Sequence, residues 1–265
     1  MPITLTGITI YPIKSCGGID VASAVLEPPG LRHDRRWMVV DGDGRFLTQR
    51  DVPRMALIHP ALNDDHLVVH APGMPALCVP LIVSTPHHVA VRVWSDTVIA
   101  ASVGDEAAEW FSTFLGVKCS LVTMTERSVR HIPSKHASDG DMVSFADAFP
   151  LVLISEESLS DLNGRLDVPV PMRRFRPNLV VRGCRPFAED RWRRIRIGAV
   201  VLRVVKPCAR CVITTVDTAT GERGKEPLRT LATFRSGGNE VFFGQNLLHT
   251  TAGTLRVGEE VAIEE

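Results

Sequence analysis

Net charge is the first thing this chain lacks. Its 30 lysines and arginines are matched by 30 aspartates and glutamates over 265 residues. That balance removes the bulk electrostatic case for binding nucleic acid or an anionic membrane surface. Long apolar runs are missing too, and none approaches the roughly 18 residues a membrane span needs. The opening Met-Pro-Ile-Thr-Leu-Thr-Gly has no basic segment followed by an apolar one, so no secretory signal is read there. These absences predict a soluble, cytoplasmic protein, in which six cysteines are free thiols or ligands rather than a disulfide framework. Internal repeats and low-complexity tracts are absent as well. With 45% hydrophobic and 23% charged residues the composition is that of a turn-rich globular protein, long enough for one large or two modest domains.

What is present is a succession of short β-branched runs. Residues 3–11 form one, ending at Pro12. Residues 37–40 and 46–48 flank Asp41-Gly-Asp-Gly44, a hairpin signal. Residues 67–70, 78–83 and 89–94 continue the pattern, whose spacing predicts a barrel or sandwich. A helix is expected over 105–115, with Ala107, Ala108, Phe111 and Leu115 on one face and Gly116 ending it. A strand over 120–123 precedes a polar loop, 125–141, containing Pro133 and Asp139-Gly140. Asp139-Gly-Asp141 is similar to part of a calcium loop but lacks the remaining ligands. The second half opens with a strand over 150–154. Ser155 then caps a helix over 156–166, with Glu156 and Glu157 at its positive end. Strands are expected over 178–181, 195–197, 199–205, 212–216, 254–257 and 261–263. A short helix is expected over 227–234, with Pro227 in its first turn.

The chemistry begins at Cys208-Ala-Arg-Cys211, two thiols beside an arginine at the end of an apolar run. A soft metal prefers thiolate, and a neighbouring cation favours that form. Cys16, Cys78, Cys119 and Cys184 are scattered singly. A closed zinc site needs four ligands. No second pair and no spaced histidines complete one here, and His249 stands alone downstream. A dithiol redox pair would open a helix, yet Val-Ile-Thr-Thr-Val after Cys211 reads as a strand. Two readings stay open on spacing: inert buried thiols, or one thiolate anchoring a metal held mainly by its own organic ligand. His66, His70, His131 and His136 show no ligand set.

Cations are locally concentrated despite the zero sum. Met172-Arg-Arg-Phe-Arg-Pro-Asn178 supplies Arg173, Arg174 and Arg176, and Arg182, Arg185, Arg191, Arg193, Arg194 and Arg196 follow. Guanidinium groups recognise phosphates bidentately, but a solvated basic face accounts for most of these. Arg176, between Phe175 and Pro177, is expected to be held rigidly. Tyr11-Pro-Ile-Lys14-Ser-Cys-Gly-Gly18 places a lysine before a small-residue turn whose amides can face an anion, without the pattern of a P-loop. Arg32-His-Asp-Arg35-Arg36-Trp37 adds more cations. Each alone reads as an ordinary solvated turn; together they point to an anionic ligand between the two halves. Asp147, amid apolar residues, either accepts hydrogen bonds from a ligand or caps a turn.

These segments, with Thr214-Thr-Val-Asp217, Lys225-Glu-Pro-Leu228 and Phe243-Gly-Gln245, resemble the MOSC family in order and spacing from residue 3 onward. The match is to the branch that includes the mitochondrial amidoxime-reducing component and its bacterial relatives. The resemblance implies a mostly β (α+β) fold: an N-terminal β-rich, barrel-like domain over 1–118 packed on a C-terminal MOSC β-barrel over 119–265, with a few short helices. It implies a molybdenum cofactor, molybdenum held by a phosphate-bearing molybdopterin, with Cys211 as the protein's metal ligand and catalytic residue. Lys14, Ser15, Arg35, Arg176, Asn178 and Arg210 match cofactor contacts, Asp147 matches a pterin contact, and the role of Cys208 is open. The implied activity is reduction of amidoximes, hydroxylamines and N-hydroxylated bases, a detoxification chemistry. The alternatives are another molybdenum oxo-transfer (S-oxide or nitrite reduction) or a cofactor-binding or sulfur-carrying role. Phe149 stands where some relatives have a small polar residue, an expected change in pocket shape. A ferredoxin domain and a membrane anchor, carried by some relatives, are not read in this sequence. Electrons are therefore expected from a separate protein of ferredoxin, flavodoxin or cytochrome b5 type with its reductase. The expected partners are that protein and a small N-hydroxylated substrate, with no nucleic acid and no membrane. The oligomeric state, monomer or otherwise, is not legible.

Overall fold

The alternating runs become strands in the computed structural model, which describes residues 2–132, 135–137 and 140–265. Pro133 and Asp139, on which the loop and calcium-loop readings partly rested, lie outside the described residues. In chain order the elements of the first half are β1 (Thr4–Ile10), β2 (Ile19–Val21), β3 (Ser23–Glu27), β4 (Gly30–Leu31), β5 (Trp37–Asp41), β6 (His59–Leu62), β7 (His66–His70), β8 (Leu77–Pro80), β9 (His87–Val93), β10 (Asp96–Ser102), α1 (Asp105–Leu115) and β11 (Cys119–Met124). The second half adds β12 (Leu151–Ser155), α2 (Glu156–Asn163), β13 (Leu179–Arg182), β14 (Arg194–Ile197), β15 (Val200–Arg210), α3 (Leu228–Ala232), β16 (Ser236–Gly237), β17 (Glu240–His249), β18 (Gly253–Arg256) and β19 (Val261–Ile263). The expected mostly β class with a few short helices is what is seen.

One large sheet runs β19-β14-β15-β17-β12-β13-β1-β2, with β16 on β17. Its two ends meet. Leu5 N–H donates to Glu259 O (2.9 Å), Gly258 N–H to Leu5 O (2.8 Å) and Val261 N–H to Ile3 O (2.7 Å). These bonds join the β19 end to the start of β1 and close the sheet into a barrel, with β2 continuing beyond the seam. Inside lie Leu5, Ile8, Leu153, Leu179, Ile195, Leu202 and Leu247, all fully buried. Each such side chain contributes about 1.5–3 kcal/mol of transfer free energy. The first half builds a second core between the sheet β5-β11-β10-β9, the sheet β6-β7-β8 and helix α1. The expected boundary at residue 118 is crossed both ways: β1 pairs with β13, and β11 pairs with β5. The two halves are thereby laced together along the groove where the candidate residues sit.

Several expectations need correction. Residues 212–216 were expected as a strand, but Val212–Thr215 is a 3-10 helix. The hydroxyls explain it: Thr214 Oγ1 donates to Cys211 O (3.0 Å) and Thr215 Oγ1 to Val212 O (2.8 Å), offering the backbone a local alternative to a ladder. Helix α2 ends at Asn163, before Gly164, rather than running to residue 166; Ser155 caps it as expected, accepting from Ser158 N–H at 3.1 Å. The expected strand over 46–48 contributes only a bridge, Val40 to Phe46. Helix α1 has the expected bounds, but its buried face is centred on Trp110, Phe111 and Phe114, with Ala108 at the margin. Among the described residues no helix is long and apolar enough to cross a membrane.

Two features of the barrel shape the site. Strand β15 is bulged between Val204 and Lys206 and again between Pro207 and Ala209. It pairs with β14 only over Val200–Arg203, so from Lys206 onward β17 alone holds it. Bulges of this kind re-aim side chains near functional sites. On β17, Gly244 lies at φ 76°, and a Cβ there would stand 2.7 Å from Leu153 O. Only glycine lets β17 approach β12 this closely.

Candidate functional site

Lysine 14 enters the groove directly after β1. Pro12 ends the strand, and Lys14 N–H donates to Trp37 O (2.8 Å), tying the turn to β5. Ser15 follows at φ 66°, with its carbonyl held by Gln49 Nε2 (2.6 Å). The Lys14 side chain is buried; Nζ donates to Phe145 O (2.8 Å) and pairs with the Asp147 carboxylate. Burial pushes Lys14 down, and Asp147 opposes that. Burial would raise the Asp147 carboxyl in turn. The charge and hydrogen bond of Lys14, with Arg50 and the Trp94 indole N–H, outweigh it and hold that carboxyl well below the usual carboxylate range. Arg130, also buried, sets the loop that carries Asp147, with Nη1 donating to Ser144 O and Ala146 O (2.6 Å) and Nε to Asp96 (3.0 Å).

Asp34 organises the next cluster. Its buried carboxylate accepts from Tyr11 N–H (2.8 Å), from Arg35 Nη1 at both oxygens (2.7 and 2.6 Å) and from Asn178 Nδ2 (3.1 Å). Asn178 Oδ1 accepts from Arg35 Nη1 at 3.0 Å, so aspartate, arginine and asparagine form one network across the two halves. Arg35 and Arg176 both adopt left-handed backbone, at φ 49° and 53°. Their guanidinium groups stand 4.4 and 4.3 Å from the centre of the Tyr11 ring. Arg176 is anchored by Nη1, which donates to Cys16 O. Burial lowers Arg176, and the like charge of Arg35 lowers it further.

Tyr11 gives a direct test of this packing. Burial raises its phenol, against the pull of Arg176 and Arg35, up to about 12. It is the only tyrosine in the sequence, so its ultraviolet titration can be read alone. The expected midpoint is near 12 in the folded protein, against about 10 for a free phenol. The folded state binds this proton more tightly, so the associated stability is complete below pH of about 10 and is lost as pH rises through 12. A folded-state midpoint at the free value contradicts the buried, arginine-flanked ring.

The third contributor is the bulged end of β15. Arg210 Nε donates to Phe243 O and Nη1 to Phe175 O, both at 2.7 Å. Cys211 leaves the strand as the residue before the 3-10 helix, its carbonyl fixed by Thr214 N–H (3.1 Å) and Oγ1. Burial raises the Cys208 thiol, with Arg210 pulling the other way. Arg174 Nη2 pairs with Asp217 at 2.8 Å.

All eight residues singled out in the sequence, Lys14, Ser15, Arg35, Asp147, Arg176, Asn178, Arg210 and Cys211, line one cleft of about 230 Å³. So does Cys208. A larger groove of about 950 Å³ shares only Arg176 with it. Arg182, Arg194 and Arg196 face elsewhere, paired with Glu156 and Glu264, as a solvated basic face would be. Seven cations line the cleft (Lys14, Arg35, Arg50, Arg174, Arg176, Lys206 and Arg210) against one carboxylate, Asp147. Arg210 Nη2 and Arg174 Nε are buried donors with no partner among the described residues. Orphaned donors and unbalanced positive charge are costly unless an anion completes them. The cleft therefore fits a phosphate-bearing, anionic group. Among the described residues no cluster of three or more His, Cys, Asp or Glu is placed to hold a metal, so a metal bound through Cys211 would need its other ligands from an organic partner.

Asp34, Arg50 and Arg130 carry no role in the sequence reading, and Arg174 stands there only among the run of cations. Asp34 and Arg174 lie inside quoted motifs, where a carboxylate beside two arginines was a usable signal. Arg50 and Arg130 carry no local pattern; only the fold brings them to Asp147.

Residues 3–118 match the MOSC N-terminal beta barrel domain and residues 140–262 the MOSC domain. "Mitochondrial amidoxime reducing component 2" of Rattus norvegicus is 37% identical over 279 residues, covering 97% of this chain and 82% of that protein. "Mitochondrial amidoxime-reducing component 1" of Mus musculus is 38% identical over 97% of this chain and 81% of its own length. The Homo sapiens component 1 is 34% identical with 97% and 82% covered. Matched in both halves and along nearly its whole length, the chain belongs to the MOSC-domain family, among the amidoxime-reducing components.

Proposed function

We propose that the chain is a molybdenum-cofactor-dependent oxidoreductase that reduces amidoximes and other N-hydroxylated compounds, with electrons from a separate redox protein. The observation that carries this reading is the convergence of Cys211 and the cationic side chains on one cleft, two of whose buried arginine nitrogens have no partner among the described residues. In this reading Cys211 is the metal ligand. Arg35, Arg176, Asn178 and Arg210 would hold the anionic cofactor together with Lys14 and Ser15, and Asp147 would contact its pterin. When bound, the cofactor supplies the two-electron, oxygen-accepting chemistry, and the protein supplies orientation and charge.

The residues' own tasks follow from their contacts. Asp34 and Asn178 together lock Arg35, and Asn178 is itself fixed by donating to Thr9 O and Asp34, so the guanidinium is presented in a set position that needs no reorganisation on binding. Asp147 is ionised at neutral pH, because Lys14 and Arg50 hold its carboxyl low. It accepts hydrogen bonds and is not the proton donor. The net reaction joins an amidoxime, two electrons and two protons to give an amidine and water; the N–O bond breaks and its oxygen leaves as water. The two stretches, 1–118 and 119–265, act as one unit, the first supplying Lys14, Ser15 and Arg35 and the second the remainder. A cytoplasmic setting and a role in detoxification belong to the same proposal.

The test is reduction of benzamidoxime by the holoenzyme, purified from a host that makes the cofactor, with reduced benzyl viologen as electron source. Formation of benzamidine is expected. Reduction of an S-oxide or nitrite with no amidoxime turnover would move the reading to another oxo-transfer on the same site.

A further inference from the structure

Trp94 follows β9 at the tip of the β9–β10 hairpin. Its φ of 57° is left-handed, a conformation that costs a bulky L residue about 1–3 kcal/mol. Half of its surface, 50%, is exposed. Neither hairpin geometry nor core packing asks for a large aromatic residue here, since glycine would fit the turn and the ring fills no core. Yet the indole is held in one place. Nε1 donates to Asp147 Oδ1 (3.3 Å), the Arg50 guanidinium stands 4.7 Å from the ring centre, and the Phe46 ring packs at 5.1 Å, tilted by 58°. Arg50 and Asp147 both line the cleft that holds Cys211. Lys14 binds the same Asp147 carboxylate and lies 5.2 Å from the centre of the Phe46 ring. A rigid, half-exposed aromatic surface is thus fixed to the cleft's rim by residues of the cleft itself.

We propose that Trp94 is a specificity-determining residue of the reduction: its exposed indole is the platform on which the planar, conjugated part of an N-hydroxylated substrate packs while its N–OH group enters the cleft. The inference rests on the reductase reading above. Aromatic rings gain from offset or edge contacts with a planar π-system, and a pre-positioned ring gives that gain with little entropy cost. A small substrate such as hydroxylamine has no such surface to offer. A rival role, in which Trp94 merely steadies Asp147 through its indole N–H, affects large and small substrates alike and is lost when the N–H is removed.

The experiment compares kcat/KM for benzamidoxime with that for hydroxylamine, in wild-type holoenzyme and in Trp94→Ala and Trp94→Phe, with reduced benzyl viologen as electron source. Trp94→Ala is expected to lower the benzamidoxime-to-hydroxylamine ratio by about tenfold, mainly through KM. Trp94→Phe, which keeps a ring and loses the N–H, is expected to hold the ratio within about twofold. An unchanged ratio in Trp94→Ala, or equal falls for both substrates in both variants, overturns the proposal in favour of the steadying role. Binding of benzamidine, which carries the planar group without N–OH, is measured by calorimetry on the same proteins. About tenfold weakening in Trp94→Ala supports the platform, and unchanged affinity overturns it. Should wild type reduce neither substrate, the reductase reading fails, and benzamidine binding alone decides the platform.

Discussion

Replacing Cys211 by serine abolishes benzamidoxime reduction, while Cys208→Ser retains part of it. The asymmetry follows from where the strand places the two thiols. Cys211 sits at the point where β15 passes into a 3-10 helix, its carbonyl tied down by the N–H and hydroxyl of Thr214. Serine keeps that backbone and removes only the soft sulfur a molybdenum centre prefers. Cys208 lies three residues earlier on the bulged strand, where burial raises its thiol and disfavours the thiolate a metal needs. Losing a residue that merely supports a metal ligand costs about 10–100-fold in affinity or activity. Losing the ligand itself should exceed that, so the expected fall for Cys211→Ser is more than about a hundredfold. Steady-state turnover and molybdenum content on the same samples check it. Equal activity of wild type and Cys211→Ser refutes the ligand role.

Replacing Asp34 by alanine destabilises the protein by about 3–5 kcal/mol, the cost of breaking a buried ion pair by removing one partner. Asp34 is 1% exposed and accepts from Tyr11 N–H, Arg35 and Asn178. Alanine leaves the Arg35 charge and the Asn178 amide without that acceptor, in a wall that also stacks Arg35 and Arg176 on Tyr11. Asparagine, which keeps one acceptor oxygen, should cost less. Urea unfolding measures both: a lower midpoint with unchanged slope is expected. A loss below about 1 kcal/mol in Asp34→Ala, the size of an exposed pair, contradicts the hub.

Much of the site was legible because its residues sit in short, chemically unusual strings. Lys14, Arg35, Arg176 and Cys211 each stand in a run of cations, small residues or thiols at a strand end, and all line the one cleft. Arg50, Arg130 and Trp94 were not legible. Each is a single residue in an ordinary context, and its meaning comes from long-range closure onto Asp147, 97, 17 and 53 positions away. The strands were legible where β-branched residues alternate. β17 escaped because Phe243-Gly-Gln-Asn246 breaks the pattern, although its buried face is central to the barrel. The 3-10 helix after Cys211 escaped for the opposite reason: β-branched threonines imitate a strand until their hydroxyls bond the preceding turn. The barrel's closure by β1 could not be read locally, since it depends on contacts between residues about 255 positions apart.

The central claim is that one thiolate, Cys211, and a surrounding shell of arginines and Lys14 hold an anionic molybdenum cofactor that reduces N–OH bonds. The most direct measurement is molybdenum content together with benzamidoxime reduction, made on one preparation from a cofactor-producing host. The account predicts about one molybdenum per chain, as a single thiolate site requires, with benzamidine formed in proportion to that content. Protein that repeatedly carries zinc or no metal from such a host, or that carries molybdenum and leaves benzamidoxime unreduced, contradicts it.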